Sequence, residues 1–114
     1  MRSWFTSRSA DEFEIAAITV AELRHGVERA TGARRSKREK YIQAIVAFLP
    51  VISYTEETAY AHARIWAELT VSGKMIGYDD LIVAAIAIER GSAVATFNQR
   101  HFSSIAGLTL IEPC

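Results

Sequence analysis

Residues 76–97, IGYDDLIVAAIAIERGSAVATF, decide the fold class. From Leu81 to Ile88 every residue is apolar, so a helix here has no polar face to give to water and is buried on all sides. Gly91 is placed to end it, because glycine readily takes the left-handed conformation of a helix C-terminus. The stretch AVATF, 93–97, then reads as a strand. A fully buried helix feeding a strand belongs to a layered α/β domain, in which helices cover a sheet.

Working outward, Phe13 to Ile18 (FEIAAI) reads as a short strand, followed by a helical pattern from Thr19 with Val20, Leu23 and Val27 on one face. Thr19 and Glu22 have the T-x-x-E spacing of a capping box. Thr31 and Gly32 interrupt, and a second helix is expected from about Ser36 to Phe48, with Tyr41, Ile42, Ile45, Val46 and Leu49 inward. After Pro50, residues 51–54 (VISY) read as a strand. Thr55 is suited to cap a third helix, with Glu56 and Glu57 at its positive end. Ala59, Ala63, Trp66 and Leu69 would face inward, and the helix would stop near Ser72 and Gly73. LTLI, 108–111, is a final strand. Residues 1–12 show no period and read as a loose lead-in to a single domain spanning 1–114.

The 114 residues suffice for one real core. Lys plus Arg and Asp plus Glu number 13 each, so net charge carries no signal for nucleic acid or membrane, and any such signal must be local. The single cysteine, Cys114, can form no internal disulfide and fits a reducing cytosol. No apolar run approaches the roughly 18 residues of a membrane span, and Met1 to Ala10 do not read as a secretory signal. A soluble cytoplasmic protein is expected.

Three residues stand where strands give way to helices or loops: Glu22, Asp80 and Asn98. In open α/β sheets ligands bind beyond the carboxyl ends of the strands, so the fold can gather all three. Carboxylates at such a rim are hard oxygen ligands suited to Mg²⁺ or Mn²⁺. Each also has a plain structural reading. Glu22 completes a capping box, Asp79 and Asp80 are N-cap residues (the preferred reading for Asp79), and Asn98 is a turn residue. Asp80 resists that reading because it leads straight into an apolar helix, where an unpaired carboxylate is costly. His25, His62 and His101 show no metal-ligand spacing and read as structural or surface residues. Tyr60 and Trp66 read as core packing.

Taken in order, Thr19-x-x-Glu22-Leu23 with Gly26, then Ile76-Gly77-x-x-Asp80-x-x-Val83-Ala84-Ala85, then Thr96-x-Asn98-x-x-x-Phe102 resemble PIN-domain toxins of the VapC type. The resemblance covers about Phe13 to Pro113. It implies a three-layer α/β/α fold with a mainly parallel sheet, acidic residues around Mg²⁺ or Mn²⁺, cleavage of RNA phosphodiester bonds, a cognate antitoxin and homodimerisation. By resemblance Glu22 and Asp80 are metal ligands, Asn98 completes the catalytic set, and Thr19 and Thr96 support it. One departure is serious. The family begins with a strand ending in an Asp ligand, whereas Asp11 is the only Asp before residue 79 and precedes the first strand read here. The first strand is therefore expected to be missing from the centre of the sheet, with metal binding and activity weakened.

Arg34, Arg35, Lys37, Arg38 and Lys40 form the one basic cluster, readable as a solvated helix face or as a phosphate-binding surface in which Arg34, Arg35 and Arg38 support the substrate. A ribonuclease toxin weakened by truncation is the leading reading. A degenerate binding module that still grips an antitoxin or partner subunit is the alternative. A phosphoacceptor domain of response-regulator type would need an Asp ending a central strand and a Lys after a late one, and neither is evident.

Overall fold

A computed structural model describes residues 5–9, 12–96 and 99–112, with residues 5–9 and 12 described by their backbone. The elements in chain order are β1 (Phe5–Ser9), β2 (Glu12–Ala16), α1 (Ala17–Arg29), α2 (Gly32–Phe48), β3 (Val51–Ile52), α3 (Glu56–Val71), α4 (Tyr78–Arg90), β4 (Ala93–Ala95), a 3₁₀ turn (Gln99–Phe102) and β5 (Thr109–Ile111). The strands form one sheet in the order β3-β2-β1-β4-β5. The α/β class expected from the buried helix holds.

Parallel pairing holds at both flanks, β2 with β3 and β4 with β5. The centre departs from the parallel expectation. Residues 5–9, read as part of a loose lead-in, form the central strand β1, antiparallel to both β2 and β4. Phe5 pairs with Ile15 on one side and Ala95 on the other. The place of the strand expected to be missing is thus filled, by a strand running the other way. Its backbone groups find ladder partners on both sides, which an empty centre would have denied to β2 and β4.

Helix α4 anchors the core. Leu81 to Ala87 are all buried, with Ala84, Ala85 and Ala87 at 0% exposure. Those small side chains let α3 and the sheet approach closely, while Ile65, Ile86, Val94 and Phe102 supply bulk around them. Each large aliphatic or aromatic side chain so buried stabilises the fold by about 1.5–3 kcal/mol over its exposed state. Gly91 ends α4 at φ 66°, as its position implied. Thr55 caps α3, its hydroxyl accepting from the Thr58 backbone N–H at 3.3 Å.

Several boundaries and faces differ from the sequence reading. Helix α1 starts at Ala17, directly after strand pairing ends at Ala16 with Ile52, so Thr19 lies inside the helix and caps nothing. Its hydroxyl is buried with no hydrogen-bond partner among the described residues. Helix α2 starts at Gly32 rather than Ser36 and buries only Ile42, leaving Tyr41 and Val46 exposed. In helix α3 Leu69 is buried as expected, but the rest of the inner face is shifted by one position. Thr58, Ala61, His62, Ile65 and Leu69 are buried, whereas Ala63, Tyr60 and Trp66 face outward.

Candidate active site

The carboxyl ends of β2 and β4 lead to the two places where the sequence put its chemistry. Beyond β2, the second turn of α1 carries Glu22, half-buried. A residue that far into a helix cannot satisfy the N-terminal amides, so the capping-box reading of Glu22 falls. Beyond β4, Thr96 is 1% exposed and its backbone N–H donates to the Ile111 carbonyl at 3.0 Å, which ties this edge to β5. Asn98 lies outside the described residues.

The N-terminus of α4 supplies the remaining acids. Its N-cap is Gly77, so Asp79 and Asp80 both occupy the first helical turn, and the N-cap reading of Asp79 is replaced. The positive end of the helix dipole lies under both carboxylates and eases their negative charge. Asp79 shares with Glu22 the wall of a cavity of about 600 Å³, also lined by Leu23, His25, Arg29, Arg34 and Arg38. Asp80 does not line it. Its Oδ2 sits 3.0 Å from His101 Nδ1 in the 3₁₀ turn, the carboxylate retaining 21% exposure. The rim thus holds Glu22 and Asp79 around one opening, with Asp80 next in the chain and held by an imidazole.

The sequence reading missed Asp79 and His101. Both had a local signal, Asp79 as the second acid of an Asp-Asp pair and His101 as a member of the same TFNQRHF run that carries Asn98. Of the supporting arginines, Arg34 and Arg38 line the cavity, while Arg35 turns to Glu28 at 3.3 Å. Arg38 Nη1 donates to the Gly26 carbonyl at 2.9 Å, satisfying one of the carbonyls left over at the end of α1 and docking α2 against it.

The direction of β1 decides which of its ends meets this rim. Its amino end, Phe5, stands level with Ile15 and Ala95, and its carboxyl end, Ser9, pairs with Glu12 at the other edge. A parallel central strand would deliver its last residue to the rim of Glu22 and Asp79, whereas β1 delivers its first. Among the described residues no three His, Cys, Asp or Glu side chains gather closely enough to hold a metal ion by themselves. Two carboxylates at one opening nevertheless suit Mg²⁺, which commonly takes one or two carboxylates and keeps several waters. Glu22 and Asp79 are the carboxylates that line this opening.

Carboxylates beyond the carboxyl ends of the strands stand where α/β folds bind their ligands. Comparison with known proteins narrows the reading: residues 2–108 match the PIN domain, and the chain belongs to the PIN-domain family. It is 32% identical to the VapC ribonuclease Y4jK of Sinorhizobium fredii, over 97% of this chain and 81% of that protein. Among solved structures it is similar to the DNA-bound VapBC of Salmonella typhimurium, with TM-score 0.81 and 30% identity over 88% of this chain and 74% of that one. It is also similar to VapBC-5 of Mycobacterium tuberculosis, a member of the VapBC family of toxin-antitoxin systems, with TM-score 0.79 and 26% identity over 88% and 81%. Among the described residues no helix is long and apolar enough to cross a membrane.

Proposed function

We propose that this chain is a cytosolic endoribonuclease toxin that hydrolyses RNA phosphodiester bonds with Mg²⁺ or Mn²⁺, at a rate reduced because, among the described residues, only Glu22 and Asp79 bring carboxylates to the opening. The observation that carries the reading is the meeting of Glu22, from α1, and Asp79, from α4, on the wall of one cavity. Glu22 and Asp79 would hold a divalent ion there, which when bound would supply an activated water and charge stabilisation for the phosphoryl group. Glu22 and Asp79 hold the ion's hydration shell. Asp80 is fixed by His101 and restrains the approach of the ion or its waters from the α4 side. Asn98 completes the catalytic set that the family resemblance implies. The VapC relatives support the reaction class, and the VapBC neighbours support a protein antitoxin as partner. A homodimer completes the proposal.

The experiment is RNA cleavage by the purified chain with Mn²⁺, with EDTA and with the Glu22→Gln variant. Slow cleavage that both EDTA and the substitution abolish is the expected result. Cleavage that survives both removes this site from the chemistry. A second reading, a binding module that holds its antitoxin without cutting RNA, is favoured by the reversal of β1. It predicts no cleavage by the wild-type chain together with a stable complex with the antitoxin.

A further inference from the structure

The basic side chains near the candidate site are not equivalent, and the structure sorts them. Arg24 donates to Glu28 at 3.0 Å and lies 3.2 Å from Glu39, while Arg35 reaches Glu28 at 3.3 Å. Arg38 is held in place by donating from Nη1 to the Gly26 carbonyl at 2.9 Å. Arg29 and Arg34 remain. Both are exposed, both line the cavity that Glu22 and Asp79 also line, and neither forms an ion pair with a described residue. They enter from different elements, Arg29 as the last residue of α1 and Arg34 in the first turn of α2, a turn that contains no acidic residue. Arg34 therefore sits at the positive end of a 17-residue helix with no local acid to offset it, an arrangement that an incoming anion relieves.

We infer that Arg29 and Arg34 form a two-pronged clamp for the phosphodiester backbone of single-stranded RNA, holding a phosphate beside the Glu22–Asp79 opening. Arg24 and Arg35, a few residues away, take no part. The guanidinium fork suits phosphate oxygens, and two forks from two helices fix the strand's path as well as its affinity. The inference rests on the ribonuclease reading for its substrate, but its test is separate from cleavage.

The test is binding of a fluorescent single-stranded RNA to the chain in EDTA, followed by anisotropy over a range of salt concentrations. Each lost phosphate contact to a single strand flattens the plot of log affinity against log salt by about 0.7, so Arg29→Gln with Arg34→Gln should lower the slope by about 1.4. Arg24→Gln with Arg35→Gln removes the same net charge and should leave the slope nearly unchanged. Arg29→Lys with Arg34→Lys should restore most of it. All of these side chains are at the surface, so unchanged thermal unfolding verifies that each variant is folded. Equal slopes for wild type and the Arg29/Arg34 variant overturn the clamp, as does an equal drop in both double variants, which signals diffuse charge. An RNA slope left unchanged while binding of an acidic peptide is lost assigns the two arginines to a protein partner instead, and also overturns it. Failure of the nuclease reading shows elsewhere, as the absence of cleavage in Mn²⁺ while the Arg29/Arg34-dependent slope persists.

Discussion

The two rims of the sheet use the same residue types for opposite ends. At the amino rim of β4, Glu14 is 4% exposed and locked by Arg90, whose Nε and Nη2 reach its two oxygens at 2.7 and 2.8 Å, with Ser92 Oγ donating at 3.2 Å. Those hydrogen bonds raise the Arg90 pKa above its ordinary value. At the carboxyl rim, Glu22 and Asp79 are half-buried around a cavity, and Asp80 faces an imidazole rather than a guanidinium. A carboxylate that a bidentate arginine seals is structural. Glu22 and Asp79 instead border an opening that solvent reaches. Burial and partner, not residue identity, separate the two roles.

The largest expected effect comes from breaking the sealed rim. Arg90→Ala leaves the Glu14 charge buried without its guanidinium and should destabilise the fold by about 3–5 kcal/mol in urea unfolding. Glu14→Ala should cost less, because Arg90 is 30% exposed and can turn to water. Equal and small losses for both would mean that the pair is not the structural element described.

Burial without a full set of partners sharpens the contrast. His62 is 5% exposed, accepts or donates through Nδ1 to Tyr54 Oη at 2.7 Å, and its Nε2 has no partner among the described residues. Trp66 stacks on its ring at 5.7 Å. Burial holds this imidazole below the ordinary value of 6.5, so the unfolded chain binds the proton more tightly than the folded one. Stability is therefore full above pH 6.5 and is lost as the pH falls through that value toward the folded pKa. Thermal scans from neutral to mildly acidic pH should show a fall of roughly a few degrees, which His62→Phe flattens. An unchanged pH dependence in that variant would place the titration elsewhere.

The smallest effect belongs to the exposed pairs. Arg24→Gln removes contacts to Glu28 and Glu39, side chains at 52% and 34% exposure, and should leave the urea unfolding midpoint nearly unchanged. A loss as large as that of Arg90→Ala would erase the distinction between sealed and solvated ion pairs.

Helix α4 was legible because eight apolar residues in a row leave no face for water, and that pattern has one structural meaning at this length. Strand β1 was not. FTSRS carries three hydroxyl residues and an arginine, and what makes it a strand is backbone pairing to β2 and β4, which local composition does not reveal. The face of α3 was misjudged because Trp66 and the alanines suggest a core, whereas the true inner face includes polar Thr58 and His62. Thr58 is tolerated there because its hydroxyl donates to Glu89 at 2.7 Å from the neighbouring α4, a partner invisible within α3 itself. At the candidate site, spacing singled out Glu22 and Asp80, of which Glu22 lines the cavity while Asp80 pairs with His101. Asp79 was not legible, because choosing between N-cap and first turn needs the helix boundary, which Gly77 rather than an aspartate sets.

The most direct test of the account is a Mn²⁺ titration by calorimetry of the wild-type chain beside Glu22→Gln and Asp79→Asn, each shown to be folded. The account predicts one weak site in the wild type that either substitution removes, with stability changed by no more than about 0.5 kcal/mol. Undiminished Mn²⁺ binding in both variants would contradict it, since the ion would then sit somewhere other than the opening that Glu22 and Asp79 share.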